Sequence, residues 1–517
     1  MTLDELQAEL SVHGRRPPLD ALFRRAAFRA PAAYALIDAP NRNSFAEGAP
    51  RHMTYAATDR AISAVAGRLH QFGLPHGSVV ALQFPNIAES VIALLGVLRA
   101  GMIAAPLPLL WRRAEMVPAL TRIGAKAIIA GGRIGEDDLC QVALSVAAEA
   151  FPVRYVCSMS AKAADGAIAL DALLAADKLD PLPRFAGEEV AAEVAIVTWD
   201  TTAENPEGHV PVARDHAQLV AAGLAVSLEA RIDEFATFLA LPGHSSLSGL
   251  ASTIVPWLIS GGTLHLHHAF DPDVLARQIS VSECDTIVLP GPSAAPVNQA
   301  GLLTCRNLRN VIAVWRMPER VAVSPAWRHA QVRLTDVQVF GETGLIAARR
   351  QAGGQPAVFA VGAVKMPRDS AGGLLSIEIS RGESGTLLLR GPMVPRDASR
   401  FGRESGEGPV YQTDPAGYAD TGYPCRIERE TRTLALTGPP AGIINVGGYR
   451  FAQRTLQDLL GSSGPDATLA ALPDPFLSFR LAGRAIDRAG VRQRLAANGA
   501  NALVAGAFRD RRKPQAA

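Results

Sequence analysis

The sequence predicts an α/β fold. It comprises a large N-terminal domain of mostly parallel sheets flanked by helices, a small β-barrel-like subdomain within it, and a small C-terminal α+β domain. Three observations carry this. From Met53 onward helical periods alternate with short β-type runs, and the alternation returns after residue 190. Between roughly 380 and 436 the runs are short and separated by Gly, Pro and charged clusters, as in a small antiparallel barrel. Gly438-Pro439-Pro440 then precedes a compact tail of about eighty residues. The expected domains are therefore 1–437, with a β-rich subdomain over about 380–436, and 438–517.

Each element has its own signal. Thr54 to Phe72 has helical spacing, with Ala61, Val65, Ala66 and Leu69 on one face and Gly73 as the stop. Ser78 to Gln83 reads as a buried strand and Pro85-Asn86 as a turn. Ala88 to Ala100 is helical and ends at Gly101, and strands are expected at Met102 to Pro106 and Ala125 to Ala130. Further strands are expected at Val194 to Thr198, Phe235 to Leu241, Thr263 to His268, Thr286 to Pro290 and Val311 to Trp315. Strand, helix, strand in repeated units implies right-handed crossovers. In the β-rich stretch, Thr386 to Arg390 and Arg432 to Leu436 are strand-like, and 395–416 reads as a mobile loop.

Composition narrows the function. The chain has 517 residues, 48% of them apolar and 19% charged, enough for a packed interior and two or more structural units. A net charge of only +2, without a clustered basic excess, argues against broad binding of nucleic acid or anionic membrane. The five cysteines are far apart and lack metal-ligand spacing, so neither a disulfide framework nor a zinc site is expected. The start, MTLDELQAEL, is acidic, and the longest apolar run, Val91 to Leu98, is too short to cross a bilayer. A cytoplasmic protein without a membrane span is expected.

The order of segments across about residues 50–475 resembles the adenylate-forming (AMP-binding) superfamily of acyl-CoA synthetases, peptide-synthetase adenylation domains and luciferases. The block from Met53 to Trp111, the segment from Leu239 to Asp273, GTLLLRGPMV and GIINVGGYRF all carry the likeness. The resemblance implies an AMP-forming acid–thiol ligase using ATP, Mg²⁺ and CoA. It places nucleotide-binding positions at Thr198, Thr201, Thr202, Gly208, Gly341, Glu342, Thr343 and Tyr423. An acyl pocket falls at His244, Gly249 and Pro290, with Leu247, Leu250 and Gly291 beside it. A loop for CoA's pantetheine arm falls at Gly447, Gly448 and Tyr449, which as bare residues read as a tight turn between a strand and a helix.

The family's site residues are replaced repeatedly. The phosphate loop TSGTTGxPKG becomes TWDTTAENPEGHV, so Trp199, Asp200, Ala203 and Glu207 depart from it and carboxylates stand where phosphates would sit. In YGxTE, Gly344 takes the metal-ligand position and Glu342 lies two residues earlier. Tyr423 replaces the Asp of TGD, and Pro439 stands at the hinge arginine. The tail is shorter than the family's, and Lys513 lacks the context of the terminal catalytic lysine. No catalytic residue is therefore assigned and no metal ligand is expected. His265, His267 and His268 are read as strand residues rather than as a metal site.

Impaired adenylation is the resulting expectation. The alternatives are an inactive protein that binds a carboxylate, an acyl group or acyl-CoA, and an interaction partner of a pathway enzyme.

Overall fold

The computed structural model describes residues 17–175, 193–203, 209–268, 270–364, 375–395, 411–464, 466–474 and 476–509. Two sheets and two helices between them form the frame. One sheet has the strand order Val210–Asp215, Val194–Asp200, Ile103–Pro106, Val79–Gln83, Ala127–Ala130, Tyr155–Ser158, Ile168–Ala169. All its neighbours are parallel except the first pair, which forms an antiparallel hairpin. The other runs Gly344–Arg349, Arg333–Phe340, Asn310–Trp315, Thr286–Pro290, Phe238–Ala240, Leu264–Leu266, Tyr34–Ile37, His52–Thr54. It too is parallel inside and ends in an antiparallel hairpin, Arg333–Phe340 with Gly344–Arg349.

Helix Ala88–Arg99 is buried at every position but Ser90, with Glu89 and Arg99 paired to Arg42 and Asp20 and the rest largely apolar, and His216–Ala230 is buried at every position but Ala217. A helix without a polar face belongs inside a domain, and both contribute to the largest hydrophobic core together with strands of both sheets. His216–Ala230 starts with a capping box, the Asp215 carboxylate accepting from Gln218 N and the Gln218 side chain accepting from Asp215 N. That cap fixes the chain where the strand Val210–Asp215 turns into the helix, and so fixes the side chain of Arg214.

The third sheet is antiparallel and barrel-like, with the order Phe359–Ala360, Thr433–Leu436, Ala419–Ile427, Thr386–Arg390, Ile377–Arg381, Gly362–Val364. It begins earlier than the expected boundary near 380. Its two end strands lie in the Gly- and charge-poor stretch around Val361, whose shortness hid the strand period. The sequence loop 395–416 falls largely on residues 396–410, outside the described residues.

Residues after 442 form two hairpins, Ile443–Val446 with Tyr449–Ala452 and Thr468–Asp474 with Ser478–Arg484, and helices Gln453–Ser463, Arg488–Ala497 and Ala502–Gly506. They share a core of their own around Val446, Leu456, Val491 and Leu495. Backbone hydrogen bonds tie them to the large unit: Ala502 N to Leu110 O at 2.9 Å and Ala114 N to Gly499 O at 2.9 Å.

Candidate functional site

Both sheet-edge hairpins end at the same place, and the C-terminal hairpin closes over them. The first turn starts after Asp200 and the second is Gly341-Glu342-Thr343. Asp200 joins them, its Oδ2 accepting from Glu342 N at 2.8 Å while Oδ1 accepts from Thr201 N at 2.7 Å. Arg450, from the strand Tyr449–Ala452, reaches in and pairs with Asp200 Oδ1. Gly341 has φ +57, and a Cβ there would lie 2.2 Å from Arg450 Nη1 and 2.3 Å from Asp200 Oδ2. Only glycine serves, for the left-handed turn and for the closeness of the pair.

Two more arginines stand nearby. Arg214 donates to Thr198 Oγ1 at 3.1 Å and to the carbonyl oxygen of Glu342. Arg316 approaches Glu342 Oε1 at 3.8 Å. Glu342 is buried, and its Oε2 accepts from Leu247 N at 2.7 Å. Burial pushes its carboxyl above the usual range, with Arg316 and Arg214 pulling it back. Burial also lowers the Arg214 guanidinium, whereas for Arg450 the burial cost is exceeded by Asp200, Tyr423, Glu342 and Glu319 acting together, which hold it above its ordinary value. The expected cleft of uncompensated acid is thus corrected: Asp200 and Glu342 meet Arg214, Arg316 and Arg450. Arg214, Arg316 and Arg450 went unnoticed in the sequence, although Arg316 directly follows an apolar strand run, which is a usable signal.

The predicted nucleotide positions do come together. Thr201 Oγ1 lies 2.9 Å from His209 Nδ1 and donates to Arg450 O at 3.3 Å. Thr202 follows it in the turn, and Thr343 N closes the second turn on Phe340 O at 3.0 Å. Tyr423 is fully buried, its ring edge-on to Phe340 at 5.6 Å and 5.9 Å beneath the Arg450 guanidinium, its hydroxyl donating to Arg316 O at 3.4 Å. Gly208 and Glu207 lie outside the described residues, as does Lys513.

Beside this charged cluster is a cavity of about 350 Å³. His244, Pro290, Gly447, Gly448 and Tyr449 line it, so the predicted acyl and pantetheine positions share one space. Trp111, Trp199 and His209 form an aromatic wall, with Trp111 stacked 4.0 Å from His209 and 5.5 Å from Trp199. Trp199, read as an intruder in a phosphate loop, is instead a core residue facing the cavity. Gly249 is not on the wall: it sits behind, where a Cβ would meet Gly243 O at 1.8 Å, and lets the helix beginning at Leu247 press against that loop. Gly447 and Gly448 form a two-residue turn between two strands, not between a strand and a helix, and their φ of +55 and +81 are what a tight hairpin turn demands. Tyr449 bolts this turn down, its hydroxyl accepting from Leu110 N at 3.1 Å.

His244 is buried, with Nδ1 3.3 Å from Ser90 Oγ and Nε2 without a partner. Burial depresses its pKa to about 4, so it is neutral at pH 7. Among the described residues no cluster of His, Cys, Asp and Glu could hold a metal ion; His267 is engaged by Gln278 at 2.9 Å. No helix among them is long and apolar enough to cross a membrane.

Two parallel-sheet units, a barrel-like sheet and a small α+β unit meeting at one cleft define an adenylate-forming enzyme scaffold. The family model for AMP-binding enzymes matches residues 23–395, and the chain belongs to that family. An artificially fused adenylation–carrier di-domain from Klebsiella oxytoca superposes with a TM-score of 0.66 at 17% identity, covering 95% of this chain and 93% of that one. The o-succinylbenzoate CoA synthetase of Bacillus subtilis gives 0.65 at 15% identity, covering 93% and 92%. In sequence, human long-chain fatty acid transport protein 1 is 34% identical over 133 residues, 26% of this chain and about a fifth (19%) of that protein's length.

Proposed function

We propose that this chain is an acyl/aryl-CoA synthetase-like protein that receives a small carboxylic acid, or its thioester, while its adenylation step is impaired. One observation carries the reading: the Asp200–Arg450 pair fills the space between the two sheet-edge turns. In the family that space takes the nucleotide's phosphates, and here a carboxylate and a guanidinium from the protein's own chain satisfy each other in it. A Mg²⁺–nucleotide does not fit these residues. Glu342 gives one oxygen to Leu247 N and turns the other toward the Arg316 guanidinium, so a cation there would meet a positive charge, and the buried Tyr423 offers one phenol oxygen in place of a carboxylate. Of the lysines within the described residues, neither Lys126 nor Lys162 lines the cavity. No catalytic step is derived through ATP or Mg²⁺ for these reasons.

The cavity supports the binding half of the proposal. At about 350 Å³ it lies near the lower end of ligand pockets, roughly 300–1,000 Å³. A short acyl chain or a single aromatic ring suits it better than a long chain, and its Trp wall favours flat or apolar groups. The Gly447–Gly448 turn at its mouth leaves a route for a CoA thioester. We place the protein in the cytoplasm and residues from 438 onward in a small domain of their own as part of the same reading.

The test is pyrophosphate release with a panel of short fatty and aromatic acids, alongside thermal shifts with ATP·Mg²⁺ and with short acyl-CoA. The expected result is no turnover, no shift with ATP·Mg²⁺, and a rise in melting temperature with acid or acyl-CoA. Robust pyrophosphate release defeats the impaired step. Silence towards every ligand defeats the binding role and leaves the partner-protein alternative.

A further inference from the structure

Arg316 differs from the other two arginines of the cluster in one respect. Arg450 and Arg214 have their forks occupied by Asp200, Thr198 and the Glu342 carbonyl. Arg316 makes no side-chain hydrogen bond among the described residues. Its contact with Glu342 Oε1, at 3.8 Å, is too long for one, and Oε1 itself is left without a hydrogen-bond partner. Its side chain is 31% exposed, the most open of the three, and it lines the cavity.

Its position is set by the fold. Arg316 follows the strand Asn310–Trp315 at its carboxyl end, where ligands meet parallel sheets. Its backbone oxygen is held by the Tyr423 hydroxyl, and its Cδ would lie 3.7 Å from a Cβ on Gly448, so the stem runs under the C-terminal turn. The guanidinium is thus anchored at its root while its donors face the cavity. On the same cavity, His244 presents a buried Nε2 with no partner. The rest of the lining is mixed: Leu82, Leu107, Trp111 and Trp199 give it apolar walls, and Asn445, whose buried amide also lacks a partner, adds a polar group.

An unsaturated guanidinium fork opening into a cavity with apolar walls has one natural complement. A carboxylate matches its two parallel N–H donors, and in a dry site such a pair is strong and selective. Glu342 competes poorly: it is tied back to Leu247 N, and its burial favours the neutral form. We propose that Arg316 anchors the ligand as a free carboxylate, with its tail against the Trp111–Trp199 wall. This rests on the cavity being the ligand site, and it sharpens that reading: the preferred ligand is the unactivated acid rather than its thioester.

The test uses full-length protein and titration calorimetry with benzoate and hexanoate, their amides benzamide and hexanamide, and hexanoyl-CoA. Wild type is expected to bind the acids about tenfold or more tightly than the amides, the usual worth of a charged hydrogen bond. In R316Q that preference is expected to vanish, with amide affinity within about twofold of wild type. In R316K a single ammonium is expected to retain part of the preference. R316Q that keeps the full preference, or wild type that binds acid and amide alike, overturns Arg316 as the anchor while leaving the cavity as a binding site. Tight binding of hexanoyl-CoA by wild type and R316Q equally, with weak binding of the acid, also overturns it in favour of the thioester. No binding of any probe to wild type overturns the cavity reading itself. Circular dichroism melts of each variant establish that a loss is not unfolding.

Discussion

The two ends of the cleft are built from the same family segments and treated in opposite ways. At one end Asp200, Arg450, Arg214 and Glu342 pack into a closed set in which nearly every charge has a partner. At the other a cavity of about 350 Å³ is kept open, with His244 Nε2 unpartnered and Arg316 loosely paired. Orphaned polar atoms occur at both ends, Arg214 Nε, Arg450 Nε and Glu342 Oε1 at the closed one, but open space is kept at only one, and unfilled apolar space costs stability, which argues for use at that end. The closed end has traded a ligand site for internal contacts. The comparison teaches where to look for binding in a scaffold whose motifs have drifted: where space is kept open, not where the motifs once stood.

The largest effect should come from opening the closed end. Asp200 and Arg450 side chains are 10% and 8% exposed. R450A strands a buried carboxylate, and breaking a buried pair costs about 3–5 kcal/mol. Urea melts should record that loss, and pairing D200N with R450M should recover part of it, since no charge is stranded and the amide oxygen still accepts one of the two backbone bonds that Asp200 takes from Thr201 N and Glu342 N. R450A within about 1 kcal/mol of wild type would mean that the end is wet and the comparison false.

Acid tests the open end. Five buried histidines, His209, His216, His244, His265 and His268, have pKa values depressed to about 4, each chiefly by burial. Their unfolded values lie near 6.5, so the unfolded chain binds more protons between pH 6.5 and 4, and stability falls as pH falls through that window. Each contributes up to about 3 kcal/mol. Glu115 acts the other way: burial raises it to about 7, so its stabilisation is full below 4.5 and is lost as pH rises through 7. Asp38, Glu229, Asp285, Glu319, Asp336 and Glu342 are raised by burial as well and act as Glu115 does, while His70 and His267 are lowered and add to the five, so the informative quantity is the difference one histidine makes. H244Q should lose less stability than wild type between pH 6.5 and 4, and equal losses in the two proteins contradict a dry setting for His244.

Much of this was legible in the sequence. The strands Thr286–Pro290 and Thr386–Arg390 fall where the apolar runs placed them, and the helix expected over Thr54 to Phe72 runs Tyr55–Gln71 with Thr54 as its cap. Periodicity reports burial, and these elements are decided by burial. The segments around Thr198–Thr202 and Gly341–Thr343 were assigned to one site by the family resemblance alone, and their turns do meet, Asp200 accepting from Glu342 N across 142 residues that no local signal bridges. The partners of Asp200 were not legible. Arg450 lies 250 residues away, and nothing local distinguishes an arginine that crosses to another unit from one that stays on a surface. Electrostatics read one segment at a time therefore gave an acidic cleft, where the fold delivers three arginines. Gly249 failed for a related reason: a glycine that permits two backbones to touch looks the same in sequence as one that lines a pocket.

The smallest expected effect concerns the seam between the two ends. Tyr449 stands where the C-terminal turn meets the large unit, one residue before Arg450, and its hydroxyl accepts from Leu110 N. Burial raises its pKa to about 12, so it is a neutral phenol at any working pH and acts only as an acceptor and a ring against the Trp111 side of the core. Y449F keeps the ring and removes one hydrogen bond, leaving the Leu110 amide unpaired, at a cost of about 1 kcal/mol. Amide exchange at Leu110 should speed up accordingly, while exchange in the helix His216–Ala230 stays at its wild-type rate. The ratio of the two variants carries the argument. A Y449F cost well below that of R450A means the C-terminal unit is held over the cleft chiefly by the ion pair, so the closed end is also the clamp. Equal costs would mean the turn is fastened at its tip, and the Asp200–Arg450 pair would then fill space without fixing the unit that supplies it.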